Sequence, residues 1–239
     1  MKLYDDIISR VLGILPPEAG RALTPGTPWP EADDHEMILR QDMAYELGSG
    51  RLPAIGMTVL TDREDLVPQG GSLLYGQDLD AIHADRAYAR IAVVRVRADA
   101  MGEGDALYNA IRTLSRARYH SYPKGFMMRV SSVKQRESVR VGRAAIRDGL
   151  RFAAVGESLS RQLLKSPFVE AVRILYVTDP GADYTALEHL AAEAEAVTGA
   201  IDHIFKNLTM DCHTCSLQKV CDEVEGLREL HFASAHKNA

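Results

Sequence analysis

The sequence predicts an α+β fold, a mixed α/β three-layer arrangement: one main domain with a mixed sheet, followed by a short cysteine-containing C-terminal tail. Three observations predict it. Apolar runs at Tyr88–Val96 and Phe168–Thr178 stand among helical patterns, and adjacent strands followed by helices fit helices layered on a mixed sheet. Of the 239 residues, 46% are hydrophobic and 26% charged, a balance that supplies an ordinary globular core. All three cysteines fall between positions 212 and 221, beyond the last predicted core element.

The elements follow in order. Leu3 to Leu15 places Leu3, Ile7, Ile8, Val11, Leu12 and Leu15 at helical spacing, and Pro16-Pro17 stops the helix. Residues 16–35 carry five prolines, which predicts a linker or extended arm and no regular element. Met37–Leu47 and Ala54–Thr61 read as strands joined through Gly48-Ser49-Gly50. Asp62–Asp80 is polar and contains glycine, so a surface loop is expected; Tyr88–Val96 is a strand. Asp105–Tyr119 is helical, with Leu107, Tyr108, Ile111 and Leu114 on one face. Phe126–Val133 and Ser138–Val141 are short strands. Arg143–Leu164 is a helix with a break expected at Gly149 or Gly156. Phe168–Thr178 is a buried strand, a turn covers Asp179–Asp183, and Tyr184–Leu208 is an alanine-rich helix. The expected organisation is an N-terminal helix and arm (1–35), a main domain (36–208) and a metal-binding segment (209–239).

Composition narrows the function classes. A net charge of −5 argues against a general nucleic-acid footprint. No run approaches the roughly 18 apolar residues of a membrane span. The N-terminus lacks the charged-then-apolar layout of a signal peptide, so a cytoplasmic protein is expected, with homo-oligomers allowed. No phosphate-binding G-x-x-x-x-G-K-[ST], strand-anchored G-x-G-x-x-G or G-x-S-x-G pattern occurs. Trp29, the single tryptophan, sits in Thr27-Pro28-Trp29-Pro30 and either anchors the arm by packing or marks a partner surface.

Cys212, Cys215 and Cys221 form a C-x2-C-x5-C run. In a reducing compartment that spacing favours metal over disulfide, because thiolates two residues apart converge on one metal or on neighbouring irons. A [4Fe–4S] cluster and a zinc ion both suit the set; three unremarkable thiols are the alternative. His213 lies within the run and His231 follows it, each a candidate further ligand. Asp222–Leu230 reads as a short helix whose carboxylates form a solvated face and not a metal cage.

Several segments, in order, resemble the acetyl-CoA synthase family, the beta subunit of the carbon monoxide dehydrogenase/acetyl-CoA synthase complex. Arg40–Gly48, RQDMAYELG, is similar to the family's R-x-D-M-x-x-E-x-G strand. Tyr75–Asp80, YGQDLD, resembles its G-P-D-[IL]-D loop. Ser138–Leu150 resembles its strand–helix signature I-R-I-S-K-K-A-x-x-K-G-L. Val155-Gly156-Glu157 and Val169–Thr178 continue the match. The resemblance spans roughly residues 36–180.

In that family the cluster cysteines run C-x2-C-x8-C-x9-C. The resemblance therefore implies Cys212, Cys215 and Cys221 as the first three ligands, with His231 where the fourth cysteine would stand. The family's C-G-C nickel-binding tripeptide is absent, so a stand-alone relative of the middle domain is expected, without the nickel chemistry and acting as an accessory or docking component. A zinc-stapled interaction module is the alternative, and an enzyme with an open metal position a third reading. The implied partners are a corrinoid protein or a carbon monoxide dehydrogenase.

Arg129, Arg136, Arg140, Arg143, Arg147 and Arg151 fall within 23 residues. The resemblance implies that arginines here help hold the phosphates of coenzyme A, which guanidinium forks suit; Arg140, Arg143 and Arg147 are the candidates. The competing reading is a salt-bridged helix paired with Glu137, Asp148 or Glu157.

Overall fold

A computed structural model describes residues 4–32, 38, 43–102, 105–121, 123–131 and 135–205. Helix α1 (Asp5–Ile14) buries Ile7, Ile8 and Val11 and ends ahead of Pro16-Pro17, as the sequence predicts. The arm after it is not devoid of structure. Pro17–Ala19 forms a 3-10 turn, and β1 (Arg21–Leu23) pairs antiparallel with a strand within residues 62–80, the segment expected to be a loop. Both expectations are corrected together: β1 is three residues long with Arg21 and Ala22 exposed, so it has no period to read. It exists because a neighbour offers an unpaired edge.

Strands β2 (Ala44–Leu47), β3 (Ala54–Thr61), β4 (Gly71–Tyr75) and β5 (Tyr88–Val96) come next. Helix α2 (Asp105–Arg116) continues into a 3-10 turn at Ala117–His120. Then follow β6 (Phe126–Val130), β7 (Glu137–Gly142), α3 (Arg143–Arg147), α4 (Phe152–Leu163), β8 (Val169–Val177) and α5 (Tyr184–Phe205). The break between α3 and α4 falls at Gly149, whose φ of 111° is left-handed backbone that glycine adopts readily. Gly156 lies inside α4 without breaking it. A Cβ there would sit 3.1 Å from the Ser72 Cβ and 3.4 Å from the Tyr176 ring, so this glycine lets α4 approach β4 and β8.

Five strands form a mixed sheet in the order β1-β4-β8-β5-β3; β4/β8 and β5/β3 are parallel, β8/β5 antiparallel. A separate antiparallel sheet runs β2-β7-β6. Strands β2 and β3, adjacent in sequence, thus lie in different sheets. Eight of the nine residues of β5 are buried, the pattern of a strand covered on both faces. Helix α4 packs on β4 and β8, while α5 packs on β3 and on α1. The small sheet meets the large one along β3, where the Gly56 N–H donates to the Gln135 carbonyl at 2.9 Å.

Candidate functional site

The candidate arginines sit around the small sheet. Glu46 of β2 and Arg140 of β7 are cross-strand partners, and Arg140 Nε donates to Glu46 Oε1 at 2.6 Å. Arg129 of β6 reaches the same oxygen at 3.4 Å. The partner of Arg140 is therefore Glu46, not one of the three carboxylates named from the sequence. Arg143, the first residue of α3, lays its guanidinium over the Tyr45 ring at 4.6 Å. Arg147, one turn on, is exposed. Arg136 Nη2 donates to the carbonyls of Gly48, Gly50 and Leu52, and Arg151 pairs with Asp80 at 3.2 Å. Four of the six clustered arginines thus hold the fold through ion pairs or backbone carbonyls, whereas Arg143 and Arg147 lie together on α3.

A second constellation lies where the two sheets meet. Gly56 of β3, Arg90 of β5 and Tyr176 of β8 are register partners in one row, so their side-chain positions share a face. Tyr88, two residues before Arg90, lies on that face too. Glu137 of β7 enters the row over Gly56. Arg90 grips it with two parallel bonds, Nε to Oε1 and Nη2 to Oε2, both 2.7 Å. Arg118, from the 3-10 turn after α2, reaches Glu137 Oε2 at 3.2 Å. Arg90 Nη1 donates to the Met57 carbonyl at 3.1 Å. Phe152 stacks on Tyr176 with centroids 4.7 Å apart.

The electrostatics follow from burial and pairing. The side chains of Arg90 and Glu137 are 4% and 3% exposed. Burial pushes the Glu137 carboxyl up, but the guanidiniums of Arg90 and Arg118 outweigh it and hold the group below the ordinary carboxylate range. Burial likewise lowers Arg90, and Glu137 more than reverses that. Tyr88 and Tyr176 are driven up mainly by burial, so both phenols stay protonated. A lone buried ion would be far costlier than this pair.

The cluster borders a cavity of ≈ 20 Å³ whose far wall includes Val155 and Leu159 of α4. Its rim includes Ser121, Pro123 and Phe126, and the proline-rich arm is bonded to Lys124 beside them. Trp29 Nε1 donates to the Lys124 carbonyl and the Lys124 N–H to the Pro30 carbonyl, both at 2.8 Å. Trp29 is therefore a packing anchor. Gly56 is the position that admits Glu137: an added Cβ would meet the carboxylate and lie 2.6 Å from the Glu137 Cβ. We expect Gly56→Ala to destabilise the protein by about 1–3 kcal/mol, the usual cost of overpacking, measured by urea unfolding. A change under about 0.5 kcal/mol, the size of a neutral surface substitution, would show that the contact yields.

Cys212, Cys215, Cys221 and His231 lie outside the described residues. Among the described residues, no three His, Cys, Asp or Glu side chains gather in a way that could hold a metal ion, and no helix is long and apolar enough to cross a membrane. Sequence reasoning missed the Arg90–Glu137 cluster. Its signal was an arginine in the middle of an apolar strand, Tyr-Ala-Arg-Ile-Ala-Val-Val, since such a charge must meet a partner. The motifs behind the family resemblance do structural work. Asp78 of the YGQDLD segment accepts from the Leu79 and Phe152 amides at 2.8 and 3.0 Å and pairs with Arg21 at 3.1 Å. It joins the end of β4 to the start of α4.

Fold and motifs together define an acetyl-CoA synthase-like α/β domain, one whose signature segments meet around its sheets. The model of the CO dehydrogenase/acetyl-CoA synthase complex beta subunit family matches residues 30–182, well over half of the chain, and the chain belongs to that family. The match agrees with the resemblance read over residues 36–180 and gives the protein an acetyl-CoA synthase-like role in one-carbon metabolism. No curated protein matches the chain.

Proposed function

We propose that these 239 residues act as an accessory or docking component of acetyl-CoA synthase-type one-carbon metabolism and carry an iron–sulfur cluster in the C-terminal segment. The supporting observation is the position of the C-x2-C-x5-C run, a short distance after the family match ends at residue 182. Three thiolates with one imidazole are a donor set that a [4Fe–4S] cluster accepts. Cys212, Cys215 and Cys221 would hold it, with His231 as fourth ligand, and it would supply electron transfer or a rigid docking point. Arg147 is exposed on α3, and together with Arg143, stacked on Tyr45, and Arg140, paired with Glu46, it would meet the diphosphate of coenzyme A. The partners in this reading are a carbon monoxide dehydrogenase and a corrinoid protein, in the cytoplasm.

The same donors also make a closed Cys3His zinc set, which would make the segment a stapled interaction module. Metal quantification on anaerobically purified protein separates the two. The cluster predicts about four irons per chain and a brown colour, lost in Cys215→Ala. About one zinc per chain, with a tail that melts on chelation, would replace it with the zinc reading. A colourless protein without iron after reconstitution would remove the cluster.

A further inference from the structure

The two sheets have four outer strands, and three of them are short or closed by the chain itself. The edge of β2 is taken up by residues 85 and 86: the Glu46 N–H donates to Asp85 Oδ1 at 2.8 Å, and the Gly48 N–H to the Arg86 carbonyl at 2.7 Å. The edge of β3 meets the Gln135 carbonyl through the Gly56 N–H. Strand β1 is three residues long. Strand β6 is different. It ends the small sheet, and among the described residues nothing pairs with its outer edge. It also lacks the devices that blunt an edge, such as a proline, a lysine or a bulge: its register with β7 is regular, and its one charge, Arg129, is turned to Glu46. Phe126, Met127 and Met128 are each half-buried there.

We propose that β6 pairs antiparallel with β6 of a second copy of this chain, centred on Met128, so that two three-stranded sheets become one. The backbone carries the argument, because this edge is complementary to itself. The Gly142 N–H donates to the Gly125 carbonyl at 2.9 Å, and bonded pairs alternate along an antiparallel ladder. Met127 and Arg129 therefore turn their backbone groups to β7, while Phe126, Met128 and Val130 turn theirs outward. The Phe126 N–H is already taken by the Pro123 carbonyl at 2.9 Å, so Phe126 offers only its carbonyl. About a two-fold axis at Met128, the two Met128 residues exchange N–H···O=C bonds, and each Val130 N–H meets the Phe126 carbonyl of the other copy. The side chains agree with that register. Phe126 and Met128 gain apolar cover, and Arg129 lies opposite Met127, so no like charges face each other. Such a contact is isologous and closes at two copies. A five-residue strand makes a small interface, so the dimer is weak and forms with rising concentration. It does not depend on the metal in the C-terminal segment.

The test follows the full chain by sedimentation velocity over a concentration series, with amide hydrogen exchange on the same samples. The wild type should pass from monomer to dimer, and the Met128 and Val130 amides should exchange more slowly as the dimer forms. Met128→Pro removes an outward N–H that β7 does not use, a substitution edge strands tolerate, and should weaken dimerisation at least tenfold. Cys215→Ala should dimerise like the wild type even after losing its metal, which separates this contact from the proposed cluster. A monomer at every concentration, unchanged dimerisation in a folded Met128→Pro, or exchange at Met128 and Val130 that ignores concentration would overturn the proposal. So would a dimer lost together with the metal in Cys215→Ala, since the tail would then hold the copies together. The exchange measurement uses the wild type, so it decides the matter even if the proline variant fails to fold.

Discussion

Replacing Glu137 with leucine should lower stability by about 3–5 kcal/mol, the cost of leaving a buried charge unpaired. The charge is Arg90, 4% exposed and deprived of both 2.7 Å bonds. A loss of that size is a large share of the 5–15 kcal/mol that holds a typical domain. The companion experiment is Arg90→Met/Glu137→Leu. Removing both charges abolishes the desolvation cost along with the attraction, so the double variant should regain at least half of the loss. If the single and double variants are equally unstable, shape at this position matters and charge does not.

The same pair makes acid stability predictable. The native carboxyl of Glu137 is held below its ordinary value of 4.5. A depressed native value means that the unfolded chain takes up the proton first. The contribution of Glu137 is therefore complete above the ordinary value and is lost as pH falls through the native one. In urea titrations the gap between wild type and Glu137→Leu should be constant near neutrality and shrink below about pH 4.5. A gap that widens in acid would reverse the sign assigned here.

Phe152→Ala should cost about 3–5 kcal/mol, the range for removing a buried phenylalanine. Phe152 has no exposure, and its ring packs against those of Tyr176 at 4.7 Å and Tyr88 at 6.3 Å in a three-ring cluster. The vacated volume cannot collapse easily, because α4 is already close to the sheet at Gly156 and its first amide is fixed by Asp78. Phe152→Leu retains most of the volume and should cost under about 1.5 kcal/mol. Chemical denaturation of the two variants would check this; equal losses would mean that stacking, not volume, carries the stability.

The parts of the fold that the sequence revealed are those that repeat a period. Strand β5 has its predicted bounds, β8 lies one residue inside its predicted range at each end, and α1 and α2 lie where apolar spacing put them. The break before α4 was legible as one of two glycines, and only packing chose between them: Gly149 adopts φ 111°, whereas Gly156 is needed for contact with Ser72. Strands β1 and β4 were illegible for the opposite reason. They are short, partly exposed, and defined by each other and by β8.

The candidate site divides in the same way. The arginine cluster was visible as a local excess of charge, but the use of each arginine was not. Arg140 finds Glu46 94 positions away, a pairing set by strand register. Arg90 and Glu137 are 47 positions apart and meet because Gly56 leaves a gap between two sheets. By itself the chain determined its layers, its family and the grouping of its three thiols, since all of these rest on spacing along the polymer. Tertiary structure alone decided which buried charges pair and which aromatic rings stack beside them, since side chains from different strands converge only after the sheets are in contact.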